Sequence, residues 1–324
     1  MTLTRVAALC ACLALSNGAA AAQSVTTGSI TGTVTDGQRP VDGASVIAIH
    51  EPSGTSYETT TQKDGRYVIP NMRVGGPYTV QVVYIGTGTA FAPKTVENVT
   101  VNLGTASDVN VTVQTINLTE RVVVVATTDP VFSSERTGAA TTITRHHLAT
   151  LPNVTGRLEN VTRLTPQYGG TMSFVGQDSR ENNITVDGSY FNNSFGLGNT
   201  PGDRTGVAPI SLHALEEVQV NVAPYDVRQG NFVGAAVNSV TRSGTNEFRG
   251  SFYHQFRGDE MVGTEAFGAA VNPGTFTFRE TGEWVGGPVV KSKLFFFQDF
   301  ETEKTTQPNT TWLANTGGQP VTGS

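Results

Sequence analysis

Few side chains in this sequence have the types and spacing that catalysis requires. The 324 residues hold five histidines and two cysteines. His146 and His147 are adjacent, so on a strand they would point to opposite faces, and no His-Glu-x-x-His or cysteine-rich pattern accompanies them. His50 sits inside an alternating run and reads as an ordinary strand residue rather than a zinc ligand, which would need clustered His and carboxylate partners. Ser179 and Ser189 lack a nucleophile elbow, and Gly176-Gln-Asp178 is not a phosphate loop. Asp187 stands before Gly188, the usual chemistry of a turn. The inventory points away from an enzyme: no catalytic residue, metal site or cofactor is expected.

The chemistry that remains belongs to the main chain. Glu120, Arg121, Val122, Val123, Val124 and Val125 form a run whose four valines show no two-sided alternation. Two readings are open. The run is a buried strand, or it is an extended segment that adds to the edge of a partner's sheet through main-chain hydrogen bonds. Polar flanks at Thr119-Glu120 and Thr127-Thr-Asp129 suit a segment that can be released and caught.

The composition narrows the setting. The formal charge is −6, with no basic block, which argues against nucleic acid, since phosphate contacts need clustered Lys and Arg. Cys10 and Cys12 are the only cysteines, so the rest of the chain can form no disulfide framework. Arg5, the apolar run Val6 to Leu15, and Ala20-Ala21-Ala22 before Gln23 read as a secretory signal peptide over residues 1–22, cleaved near Ala22. No later segment reaches about 18 consecutive apolar residues, so no helix is expected to cross a membrane, while a β-barrel stays possible.

The elements that would position these residues are mostly strands. Over residues 23–115, Ser29 to Val34, Ala44 to His50, Arg66 to Ile69, Tyr78 to Tyr84 and Val109 to Val113 are strand candidates separated by turns such as Asp36-Gly37 and Lys63-Asp-Gly65. They read as an antiparallel sandwich. Residues 116–136 are a linker. Residues 137–245 mix a short helix at Arg157 to Leu164, a strand and Asp-Gly turn at Asn182 to Tyr190, a helix followed by a strand at Pro209 to Val220, and a strand at Ala236 to Arg242.

From residue 246 onward the period changes. Phe248, Gly250, Phe252, His254 and Phe256 share one face, and Arg249, Ser251, Tyr253, Gln255 and Arg257 share the other. A long loop over 258–274, a strand from Phe276 to Val285, a short turn from Gly286 to Lys293 and a third strand from Leu294 to Phe300 follow. One greasy and one wet face over roughly ten residues is the pattern of a transmembrane barrel strand. Three strands cannot close, and an open edge in lipid is not tolerated. The chain is therefore expected to be a fragment or a truncated product of a longer barrel.

Four groups of residues resemble known families. Gly28-Ser-Ile-Thr-Gly-Thr-Val-Thr-Asp36, Pro40-Val-Asp-Gly-Ala-Ser-Val46 and Thr61-Gln-Lys-Asp-Gly-Arg-Tyr67 are similar to the carboxypeptidase regulatory-like, transthyretin-type domain, a module also similar in structure to starch-binding domains. Glu120 to Ala126 resembles a TonB box. Ile184-Thr-Val-Asp187-Gly188, Leu215-Glu-Glu-Val-Gln-Val220, Ala223-Pro-Tyr-Asp226 and Val237-Asn-Ser-Val-Thr-Arg242-Ser-Gly244-Thr-Asn246 resemble the plug of Oar-like TonB-dependent receptors. Gly286-Gly-Pro-Val-Val-Lys291 with Leu294-Phe-Phe-Phe297 resembles the same family.

The resemblance implies a mainly β chain: signal peptide, transthyretin-like β-sandwich, small α/β plug domain and the first strands of an incomplete transmembrane β-barrel in the outer membrane. It also implies energy-coupled transport of an external ligand, with a TonB-type energy-coupling protein and outer-membrane lipid as partners. The alternative is a soluble periplasmic or surface binding module, able to bind carbohydrate, that transports nothing.

Overall fold

A computed structural model describes residues 25–84, 91–114, 140–151, 156–192, 210–224, 229–270 and 274–306. The signal peptide, the valine run from Val122 to Val125 with Glu120 and Arg121, and the tail beyond residue 306 lie outside the described residues. Among the described residues no helix is long and apolar enough to cross a membrane.

The first part is a two-sheet sandwich. β1 (Gly28–Thr35) buries every other residue, as the Ile30 and Val34 alternation predicts. One sheet holds β2 (Ser45–His50), β3 (Thr55–Thr60), β5 (Gly75–Val83) and β6 (Lys94–Val101), in the order β3-β2-β5-β6. The other centres on β1, flanked by β4 (Arg66–Met72) on one side and by β7 (Ala106–Asp108) and β8 (Val111–Thr112) on the other. The expected all-antiparallel arrangement needs correction, because β1 pairs with β7 and β8 in parallel. The chain reaches them by crossing from the opposite sheet, which is the type of connection parallel neighbours need. The strand expected over Val109 to Val113 is confined to Val111–Thr112.

The sandwich core gathers Ile30, Val34, Val46, Ala48, Val80 and Val99 from both sheets. Tyr67 and Tyr78 are buried with their hydroxyls satisfied: Tyr67 donates to the Val109 carbonyl at 2.6 Å and Tyr78 to the Arg73 carbonyl at 2.7 Å. A buried hydroxyl without an acceptor would cost about 1–3 kcal/mol. His50 behaves as the alternation implies. Its ring is buried, lies 4.9 Å from the Tyr78 ring, and shares a 2.6 Å hydrogen bond with the Ser53 hydroxyl.

The second part is a five-stranded mixed sheet. β9 (Ala140–Thr144), β12 (Asn183–Val186), β13 (Ser189–Tyr190), β14 (Leu215–Asn221) and β15 (Ala236–Thr241) lie in the order β13-β12-β15-β14-β9. α1 (Arg145–Thr150) and α2 (Leu158–Thr162) precede a small hairpin of β10 (Tyr168–Gly170) and β11 (Ser173–Phe174). α2 confirms the helix candidate near Arg157. α1 corrects the placing of His146 and His147, which lie on a helix rather than a strand and are both exposed. One face of the sheet is apolar: Ile143, Ile184, Val218, Val220 and Val237 pack with Leu158, Met172 and Phe174.

The last part is a three-stranded antiparallel sheet of β16 (Arg249–Gly258), β19 (Thr277–Val290) and β20 (Leu294–Thr306), in the order β16-β19-β20. The long loop after β16 contains a two-residue ladder of β17 (Glu265–Ala266) and β18 (Ala269–Ala270). The expected turn from Gly286 to Lys293 is shorter than its composition suggests. β19 runs through Gly286, Gly287 and Pro288, with a register shift between Pro288 and Val290, so the turn proper is Lys291-Ser-Lys293. A bulge is where a sheet tolerates proline.

Candidate functional site

Strand parity sorts the β16-β19-β20 sheet into two unlike faces. Phe248, Phe252, Phe256, Val289 and Phe300 project from one side and are exposed, Phe252 by 70%. On the other side Ser251, Trp284 and Asp299 form one cross-strand row, and Tyr253, Gly282 and Glu301 the next. Exposed phenylalanines at 248, 252, 256 and 300 on one side of the sheet exceed what a water-facing surface ordinarily carries, and fit a lipid-facing wall.

The polar side holds the five-stranded unit. The Arg242 guanidinium lies over the Trp284 ring, 3.6 Å from its centroid, and 4.9 Å from the Phe297 ring. Arg145, at the start of α1, approaches the same tryptophan at 5.8 Å. Arg242 also donates to the His213 carbonyl at 3.0 Å, and its amide donates to the Ala214 carbonyl at 2.8 Å. Burial, followed by the neighbouring Arg145 charge, lowers the Arg242 pKa to about 10, so it remains a cation at neutral pH. The His213 ring stacks on Tyr253 at 4.0 Å, and burial lowers its pKa. Tyr253 in turn donates to Glu301 at 2.5 Å. Between the two parts lies a cavity of about 320 Å³ lined by Arg145, His213, Arg242, Glu280, Trp284 and Glu301 among others.

The four motif residues Asp187, Gly188, Arg242 and Gly244 converge on the place where the chain leaves β15 for the wall. Asp187 (φ +49°) and Gly188 (φ +78°) make the two-residue connection of the β12–β13 hairpin, whose two left-handed positions suit Asp-Gly. The Asp187 carboxylate then accepts from the Thr241 amide at 2.8 Å and the Thr241 hydroxyl at 2.7 Å. That fixes the residue before Arg242. Gly244 passes so close to the wall that a Cβ there would run into the carbonyl oxygens of Gly287 and Phe296.

Several contacts at this joint could not be read from the sequence. Arg73 of the sandwich donates to the Ser243 carbonyl at 3.3 Å. Asn246 donates through its amide to the Pro52 carbonyl at 2.8 Å, and its side chain accepts from the Ser292 amide at 2.7 Å. Glu217 accepts from the Leu103 amide at 2.7 Å, and Gln219 donates to the Leu103 carbonyl at 2.5 Å. The only local hint is the alternation Glu217-Val218-Gln219-Val220, which implies a polar face without saying what covers it. Among the described residues no group of three or more His, Cys, Asp or Glu is placed to hold a metal ion.

Comparison with known proteins agrees with this division. Residues 29–114 match the family model of the carboxypeptidase regulatory-like domain, and residues 240–316 match that of the outer membrane beta barrel domain. A mainly β chain that joins these two domains is similar to outer-membrane receptors of the TonB-dependent class. Over 320 residues it is 27% identical to the TonB-dependent transporter Oar of Myxococcus xanthus, a match covering 92% of this chain and 28% of the relative. The chain thus spans little more than a quarter of the relative's length. Two solved structures are also similar. The siderophore receptor PirA of Pseudomonas aeruginosa has a TM-score of 0.40 and 19% identity, covering 53% of this chain and 28% of that one. The siderophore receptor PirA of Acinetobacter baumannii has a TM-score of 0.40 and 20% identity, covering 52% and 24%.

Proposed function

We propose that this chain is the front part of a receptor that takes up a ligand across the outer membrane with energy drawn from a TonB-type coupling protein, and that it is not itself an enzyme. Residues 137–245 act as the plug and residues 120–125 as the segment the coupling protein catches. The observation that best supports this reading is one sheet with two occupants: phenylalanines exposed on one side, and on the other a folded unit held by Arg242 over Trp284. A plug lodged against the inner wall of a barrel needs that division of faces. The segment at 120–125 lies 14 residues or more ahead of β9 in sequence, so a pull on it reaches β9, an edge strand, before any other strand of the plug sheet.

The test is capture of the segment. Single cysteines at Val122 and Val124 should cross-link to a cysteine-bearing TonB-type protein in outer-membrane preparations. Adding Val123→Pro, which removes a main-chain donor and bends the run, should cut that cross-linking by at least tenfold. Equal cross-linking with and without the proline would contradict the proposed role. Recovery of the chain wholly in the soluble periplasm would instead favour a binding module without transport.

A further inference from the structure

The face of the five-stranded sheet turned away from its apolar core is polar yet buried. Glu217, Gln219 and Asn221 alternate along β14 with the core valines Val218 and Val220, and all three are at most 5% exposed. The sandwich covers Glu217 and Gln219 through the loop that carries Leu103. The side chain of Leu103 is fully buried with Val25, Val74 and Val240, in a cluster separate from either main core. Both main-chain groups of Leu103 are gripped, its amide by Glu217 and its carbonyl by Gln219. At the same joint the Oδ1 of Asn102 and the Oε1 of Gln219 are buried without a hydrogen-bond partner. Orphaned acceptors are costly in a permanent core and cost nothing once water reaches them. Interfaces between domains of one chain are small and polar where the domains move.

We propose that the sandwich is a detachable brace, latched on strand β14 through Leu103, and that the latch opens when the Glu217 carboxyl buried beneath it loses its proton, because docking then buries a charge with no counter-ion. The groups around that carboxyl favour this. β9 offers Thr144 and β15 offers Val240 opposite Glu217, and the sandwich offers Leu103 with Asn102 and Gly104, none of which titrates. The charged neighbour is Glu216, of the same sign. Burial first, and then Glu216, raise the Glu217 pKa from 4.5 to about 8, against the opposing pull of the Leu103 hydrogen bond. A group raised on docking gives stability that is complete below its free value, near 4.5, and is lost as pH climbs through about 8. The inference stands on this joint alone, and its failure would leave the transport reading untouched.

The latch can be read by thiol accessibility, because Cys10 and Cys12 are the only native cysteines and can be replaced by alanine. Val25→Cys reports from inside the joint and Lys63→Cys from an exposed sandwich turn, so their labelling ratio cancels the pH dependence of the thiol itself. In outer-membrane preparations the ratio should rise by more than about tenfold between pH 5.5 and 7.5. Glu217→Gln, which keeps an acceptor and cannot ionise, should hold the ratio low and flat. Gln219→Ala should raise it at every pH with the slope retained, which keeps the test decisive if Glu217→Gln fails to fold. A wild-type ratio independent of pH, or a slope that survives in Glu217→Gln, would overturn the proposal.

Discussion

The Arg242 guanidinium and the Trp284 ring face each other at 3.6 Å, and this contact joins the end of β15 to the wall strand β19. It is a fixed contact, because the backbone leading into Arg242 is tied down: Thr241 by Asp187 and Arg242 itself by Ala214. Gly244 then lets the chain turn against Gly287 and Phe296 into β16. Motif residues scattered over nearly sixty positions therefore act as one corner.

Removing the cation should loosen the corner. Arg242→Ala is expected to cost about 2 kcal/mol of stability where the five-stranded sheet meets the wall, and Arg242→Lys nearly as much, since an ammonium cannot both cover the ring and reach the His213 carbonyl. With Trp312 replaced by phenylalanine, Trp284 is the one remaining tryptophan, and its emission should shift to the red in both variants. Unchanged emission in Arg242→Ala would show that the stacking is not made.

Asp187 should matter through its side chain. Asp187→Ala loses both bonds to Thr241 and places alanine at a positive φ, for an expected loss of about 1–2 kcal/mol. Asp187→Asn, which tolerates that backbone and keeps one acceptor, should lose less than half of that. Denaturant melts of the two variants in detergent measure the difference.

The sandwich should weaken in acid for a reason separate from the latch. Burial, with Arg73 nearby, lowers the His50 pKa from 6.5 to about 4. A histidine lowered by folding gives stability that is present above 6.5 and lost as pH falls through about 4. The loss should approach roughly 2–3 kcal/mol by pH 4 and be absent in His50→Asn, followed by melting from pH 7.5 to 4.

The exposed phenylalanines should behave as lipid contacts. Phe252→Arg is expected to cost about 2–4 kcal/mol of membrane-inserted stability if it lies near mid-depth, whereas Ser251→Arg, one residue away on the polar face, should cost far less. On a water-facing strand Phe252→Arg would be harmless, so the yield of each variant in the membrane fraction separates the two cases.

Much of this architecture was legible in the sequence, and the gaps have physical causes. Ile30 with Val34, Val46 with Ala48, and Phe252 with Phe256 announce strands because one face of each is apolar at a period of two. β3 was missed because Thr55 to Thr60 is an edge strand with no apolar face, and β6 because bulges opposite Tyr78 break its alternation. The parallel pairing of β1 with β7 and β8 depends on which sheet the chain crosses to, and no local pattern records that. Gly286-Gly-Pro288 looked like a turn, yet Gly287 is strand backbone beneath the Phe248 ring. The motif residues stand in the sequence as strings, while the meeting of Arg242 with Trp284 rests on a contact across more than forty residues. Glu217 could not be singled out, since the loop that buries it lies 114 residues away.

The two-faced wall itself can be measured most directly by spin labels placed one at a time at residues 250 to 257 in outer-membrane preparations, scored for collision with oxygen and with a water-soluble nickel chelate. Oxygen contact should peak at Phe252, His254 and Phe256 and fall at Ser251, Tyr253 and Gln255, with a period of two. A profile without that alternation, or nickel contact as high at Phe252 as at Gln255, would contradict the account.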